Sequence, residues 1–164
     1  MNETMIIRQA VLNDSEAIAM IESICFPATE AASKAVIIKR LETFPTSFFV
    51  AEVNGQIVGF INGAITQVPE LLDELYSDVH LHQEDGAYQT IFGLDVHPDY
   101  QHQGIASKLM QHMIHITKLR QKKGIILTCK AHLIGFYESF GYIHQGQANS
   151  NHGGAIWHNM LLEF

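Results

Sequence analysis

Asn54-Gly55 lies between two apolar, partly β-branched runs at residues 48–53 and 57–65. Asn-Gly suits the two positive φ angles of a two-residue hairpin turn, so the runs are expected to pair as antiparallel neighbours. Parallel neighbours need a crossover of a dozen or more residues, so the hairpin excludes a purely parallel sheet. Helical spacing elsewhere excludes an all-β chain. Ile18, Ile21 and Cys25 recur behind Asn13, with Glu16 placed three residues later as a capping box, and predict a helix over 14–24. Phe26-Pro27 ends it, and Thr29 is the expected cap of a second helix carrying Val36, Ile37 and Leu41 to about Thr43. The acidic stretch 67–86 reads as a surface loop with a short helix at 71–76.

Residues 5–8, 88–96, 124–128, 142–147 and 156–162 read as further strands. A long helix over 104–122 turns Ile105, Leu109, Met113 and Ile116 to one side, and a short one over 133–140 closes at Gly141. The order is strand, two helices, three strands, helix, strand, helix, two strands. It predicts one mixed α/β sheet with helices on both faces.

The 164 residues fit one domain, 1–164, large enough to bury roughly 70% of the unfolded surface. Ten basic against 17 acidic residues give a formal charge of −7, which excludes nucleic acid as the main partner, because phosphate binding needs clustered cations. The acid excess suits a cationic substrate, and it equally serves solubility. Cys25 and Cys129, the only cysteines, lack C-x-x-C spacing, so neither a metal site nor a disulfide framework is expected. Residues 1–4 lack a basic start and an apolar signal core, and no apolar run reaches the ~20 residues that span a bilayer. The expectation is a cytoplasmic protein without a membrane partner.

The chemistry concentrates at residues 94–110, L-D-V-H-P-D-Y-Q-H-Q-G-I-A-S-K-L-M. A strand enters a turn, and a glycine opens the long helix. The first turn of a helix carries unsatisfied N–H groups and partial positive charge, which suit a phosphate. Gly104 lets the backbone approach an anion, and Ala106 and Ser107 leave the turn uncrowded. The amides of Gln103, Gly104, Ile105 and Ala106 form a candidate nest, with the Gln101 side chain as a further donor. Neither a Walker G-K-[ST] nor a G-x-G-x-x-G is present.

Gln101-x-x-Gly104-x-Ala106 resembles the [Q/R]-x-x-G-x-[G/A] signature of the GNAT superfamily of acetyl-CoA-dependent N-acetyltransferases. C-K-A-H-L-I-G-F-Y-E-S-F-G-Y, at 129–142, resembles that family's second cofactor-side segment. Cys25-Phe26-Pro27 with the Ala-rich residues after it, and F-Y-E-S-F-G-Y, look most like the bacterial arylalkylamine (serotonin) N-acetyltransferase branch. The resemblance implies a single-domain, mostly antiparallel seven-stranded sheet and direct attack of an amine on the acetyl thioester in a ternary complex. Acetyl-CoA is the implied co-substrate. By position, Leu94, Asp95 and Val96 would receive the pantetheine arm as an added strand, and Phe136 would pack beside it. Gln101, His102, Gln103, Gly104, Ile105, Ala106 and Ser107 would hold the pyrophosphate.

Tyr137 is the implied acid toward the departing thiolate, and Tyr142 reads as core. A primary ammonium also needs a base, since its reference pKa is ~10.4. The vertebrate arylalkylamine enzymes carry two histidines on the fourth strand, where this chain has Thr90 and Phe92, so that machinery does not carry over. Glu30 is the first substitute, in a loop that borders the acceptor in relatives, with an exposed capping carboxylate as its plainer reading. His80 and His82 sit within reach of the acceptor side, whereas His112 and His115 read as solvated. The expected partner is a small-molecule amine. A protein or peptide N-terminal or lysine acceptor and a non-catalytic acyl-CoA sensor are the alternatives, and exposed edge strands near the C-terminus allow a homodimer.

Overall fold

The computed structural model describes residues 4–150 and 152–164. The hairpin forms as the sequence requires: β2 (Phe48–Val53) and β3 (Gln56–Asn62) pair antiparallel with Val53 opposite Gln56. Asn54 and Gly55 take φ of 51° and 80° at the turn. β1 (Met5–Gln9) adds to the outer edge of β2, and β6 (Gly93–Val96) adds to β3, giving a sheet of order β1-β2-β3-β6. A second sheet runs β4-β5-β7-β9-β8, with β4 Ile65–Thr66, β5 Tyr88–Ile91, β7 Gly124–Cys129, β8 Ile143–Gln147 and β9 His158–Glu163. β5 with β7 is the parallel pair, and the other ladders are antiparallel.

The single expected sheet is therefore two. The run at 57–65 breaks into β3 and β4, and the run at 88–96 breaks into β5 and β6 at Phe92. Both breaks fall on one seam, so seven expected strands become nine. β5 follows β7, with Ile91 opposite Leu127, while β6 follows β3, with Leu94 opposite Ile61. Two partners draw the strand in two directions. Phe92 takes the bend, its N–H donating to Asn62 O at 2.7 Å.

Helices cover both faces. α4 (Ile105–Leu119) buries Ile105, Leu109, Met110, Met113 and Thr117, and packs with Phe49, Ala51, Val53 and Ile61 of the first sheet. α1 (Ser15–Cys25) and α2 (Lys34–Thr43) pack Ile18, Ile21, Ile37 and Leu41 against Phe48, Val50 and Phe60 on the opposite face. The two-residue alternation of a strand separates these cores. α3 (Glu74–Ser77) and α5 (Ile134–Glu138) are single turns.

Several boundaries shift for local reasons. Asp14 accepts the Val11 N–H at 2.8 Å, and this replaces the expected Asn13–Glu16 box. Ser33 rather than Thr29 caps α2, its Oγ accepting the Val36 N–H at 3.2 Å. The residues between fold as a turn in which the Glu30 and Ala31 N–H groups donate to Pro27 O.

Candidate active site

The two sheets part where β6 leaves β5. β7 runs on to Thr128 and Cys129 with β9 as its partner on one side and no strand on the other. Among the described residues, β6 is paired only along its β3 edge. The notch between them carries two cavities that share Leu94, Leu133 and Tyr137.

The first cavity, about 400 Å³, lies between β6 and the start of α4. Leu94 and Val96 line one wall, Gln101, His102, Gly104, Ile105, Ala106 and Ser107 the other, and Phe136 closes an end. Gly104 caps α4 with φ 81°, a left-handed conformation in which a side chain is strained, and nothing lies within 4 Å of a Cβ built there. His102 is also left-handed, at φ 63°. Successive backbone N–H groups in such a bend form an anion-binding concavity. The first intrahelical bond runs from Lys108 N to Gly104 O at 3.1 Å, which leaves the N–H groups of the preceding turn for an anion. The Gln101 amide uses one hydrogen on Val96 O at 3.2 Å and ties the loop to the strand end. The unpaired edge of β6 beside it is open to an extended ligand segment.

Asp95 and Gln103 do not line this cleft. Asp95 sits opposite Phe60 in the ladder and faces α1 and α2, with 1% of its surface exposed.

The second cavity, about 370 Å³, lies on the other side of Tyr137, walled by the 26–33 loop, α2, α3 and the β8–β9 loop. Its lining is rich in aromatic and charged side chains. Glu30 is there, with a side chain 5% exposed and its oxygens 2.9 and 3.1 Å from Lys130 Nζ. A lysine thus already faces this carboxylate. Arg40, reaching in from α2, donates to Asn62 Oδ1 at 3.2 Å and to Tyr76 O at 2.8 Å, and its guanidinium lies 4.6 Å from the Phe92 ring centre. Burial pushes it down to about 10, against the opposing pull of Glu22, Tyr76 and Asp95. Burial pushes Tyr76 up to about 12 and Cys25 up to about 11.

Three segments close over this pocket through a chain of contacts. Ser150 Oγ donates to Asp73 Oδ1, and the His152 ring stacks on Tyr76 at 5.3 Å. His152 Nε2 donates to Glu30 O at 3.1 Å, and Trp157 Nε1 donates to His152 O at 2.8 Å. Tyr137, at the junction, is 8% exposed, and burial holds its phenol well above the usual tyrosine value.

A family model described as the acetyltransferase (GNAT) family matches residues 15–142, which include the α4 cap and the 129–142 segment. The chain belongs to the GNAT family of acetyltransferases. A curated relative, "Probable hydrolase YhcX" of Bacillus subtilis (strain 168), is 28% identical over 135 residues, 75% of this chain and 25% of that protein. The chain thus spans about a quarter of that relative's length. Among solved structures, the loading GNATL domain of CurA from Lyngbya majuscula superposes with TM-score 0.85 at 15% identity, covering 98% of each chain. The GphF GNAT-like decarboxylase in complex with isobutyryl-CoA gives 0.84 at 20%, covering 96% of this chain and 98% of that one. YncA from Salmonella typhimurium, with its cofactor acetyl-CoA, gives 0.70 at 18%, covering 97% and 93%. At these identities the likeness is one of fold.

Within this GNAT chain, the residues singled out from the sequence divide cleanly. Leu94, Val96, Gln101, His102, Gly104, Ile105, Ala106, Ser107, Phe136 and Tyr137 gather at one cleft, and Glu30 joins Tyr137 at the other. Thr90 is fully buried with its Oγ1 donating to Ala64 O at 2.8 Å, and Phe92 lines the acceptor side, so neither position supplies a base. His80 and His82 do not reach the pocket: His82 Nδ1 accepts the Ile65 N–H at 2.9 Å, and Nε2 donates to Glu84 at 2.6 Å. His112 is half-buried, edge-on to Phe49 at 4.5 Å, rather than solvated. Glu22, Arg40, Tyr76, His152 and Trp157 line the second cavity without any local motif announcing them, and Lys130 joins them from the 129–142 segment.

Proposed function

We propose that this chain transfers the acetyl group of acetyl-CoA to the primary amine of a small cationic molecule, by direct attack within a ternary complex. The cofactor side of that reading is supported by the fit between an acyl-CoA and the first cleft. The open edge of β6 suits an extended pantetheine amide chain, and the left-handed cap of α4 presents N–H groups to a pyrophosphate.

The observation that carries the acceptor side is the pinned roof. Asp73, Tyr76, Glu30, His152 and Trp157 join three loops over a pocket of about 370 Å³. An extended protein segment needs a groove open at both ends, whereas this enclosure favours a compact ligand. Aromatic walls of Phe26, Tyr76, Phe92 and Trp157 with the carboxylate of Glu22 suit an ammonium on an apolar or aromatic body, as in arylalkylamines. Tyr137, common to both cavities, is placed to donate its proton to the departing thiolate. Glu30, neutralised by Lys130, contributes shape and field rather than a free base.

The experiment is an acetyl-CoA turnover screen against arylalkylamines, polyamines and N-terminal and lysine peptides, read by thiol release. Turnover is expected on a small amine with peptides slower by about 100-fold or more, a difference of roughly 2.7 kcal/mol in transition-state binding. Faster turnover on peptides would move the acceptor to protein, and acetyl-CoA binding without any turnover would leave a sensor.

A further inference from the structure

Beneath the acceptor pocket lies a pair of carboxyl groups, of which the reading above uses only Glu22, and only as a negative charge. Glu22, from α1, lines the pocket and is 7% exposed. Asp95, from β6, lies behind it at 1% exposure, and neither of its oxygens has a hydrogen-bond donor. The two groups converge on one point: from a Cβ built on Gly93, Asp95 Oδ1 is 3.0 Å away, Glu22 Oε1 3.6 Å and Asn62 Nδ2 3.6 Å. Glu22 Oε2 accepts the Ala32 N–H at 2.8 Å, which anchors that carboxylate to the loop.

A buried ionised carboxylate without a donor is strongly destabilising. Two side by side are worse, since like charges repel in a low dielectric. One proton held between them resolves both problems, because the Asp95 O–H then donates to the Glu22 carboxylate. The surroundings are consistent with one retained negative charge. Among the described residues, Arg40 of α2 is the one cation facing the pair, while Tyr76 of α3, Tyr137 of α5 and the Cys25 thiol of α1 are neutral groups around it.

We infer that Glu22 and Asp95 share one proton and that Glu22 is the group that takes the proton from the incoming ammonium. Asp95 is a positioning residue: it never meets the substrate, and it supplies the O–H that holds Glu22. The proposal rests on the amine acetyltransferase reading and names the base of that same site. The other carboxylate of the pocket, Glu30, has a lysine on both its oxygens.

The protons balance. An R–NH3⁺ gives one proton to Glu22, so that the pair briefly holds two. The neutral nitrogen attacks the acetyl carbonyl, the C–N bond forms and the C–S bond breaks. Tyr137 gives its proton to the departing sulfur and regains one from the acylated nitrogen. The extra proton on the pair passes to water, one for each acetyl transferred.

Two measurements test this. The first is kcat/KM against pH for the wild type and Glu22→Gln, with saturating acetyl-CoA and an amine that the wild type turns over. Acetyl-CoA affinity serves as the folding control. The wild type is expected to be flat from neutral pH to the pKa of the amine. Glu22→Gln is expected to fall about 2,500-fold at pH 7 and to recover tenfold per pH unit toward ~10.4, because the amine must then arrive neutral. Parallel profiles would overturn the base role. The second measurement is the infrared band of a protonated carboxyl in the ligand-free protein at neutral pH. Its presence in the wild type and loss in Asp95→Asn supports the shared proton, and its absence from the wild type overturns it. A wild type inactive on every amine removes the acetyltransferase reading and the base role together, and the infrared band still decides the shared proton by itself.

Discussion

Tyr137 occupies the one place where both cavities meet, and its environment suits a proton donor. Its ring packs edge-on against Phe136 at 5.1 Å and Tyr142 at 5.8 Å. Burial raises its pKa first, and the nearby Cys129, Asp95 and Tyr76 raise it further, so the phenol stays protonated throughout the neutral range. A phenol that is protonated in the resting protein is available as a donor to a thiolate and not as a base toward an amine. Tyr137→Phe is therefore expected to lower kcat by about 100-fold with acetyl-CoA affinity unchanged. Single-turnover kinetics alongside calorimetric titration of acetyl-CoA separate the two effects, and unchanged turnover would take Tyr137 out of the acid role.

Among the elements, the start of α4 and the open edge of β6 would serve different parts of the one ligand proposed for them. The helix presents N–H groups and positive potential to an anion, and the strand presents an amide edge. Gly104 sits between them at φ 81°, where a side chain costs of order 1 kcal/mol in backbone strain and also enters the cleft. Gly104→Glu adds bulk and negative charge where the pyrophosphate would sit. Loss of acetyl-CoA binding by at least about 100-fold is expected, with the thermal midpoint lowered by only a few degrees. Calorimetry and a melting curve on the same sample check it, and retained affinity would move the pyrophosphate elsewhere.

At the scale of the whole molecule, the buried pair couples stability to pH. The Asp95 carboxyl is held well above its ordinary value, first by burial and then by Glu22. A raised pKa in the folded state gives a contribution fully present below the unfolded value, near 3.8, and lost as pH rises through the folded value. Asp95→Asn removes that titration. The wild type is therefore expected to lose stability relative to Asp95→Asn as pH climbs from about 4 through neutrality, read as a widening difference in melting temperature. A constant difference across that range would mean that Asp95 is not perturbed. What was legible in the sequence was whatever depends on neighbours along the chain. The Asn54-Gly55 turn, the period of α4 and the Gln-x-x-Gly-x-Ala cap each place their atoms within a few residues, so the hairpin, the helix and the left-handed turn that opens it were readable. The break of the strand at Phe92 was not, because two partners, β3 and β7, compete for it from opposite directions. The second cavity was decided by tertiary structure alone. Glu22, Arg40, Tyr76 and Lys130, with His152 and Trp157 of the β8–β9 loop, come from five separate segments and meet only when the two sheets diverge. A carboxylate's chemistry depends on what buries it and which charges face it, and those neighbours lie tens of residues away along the chain.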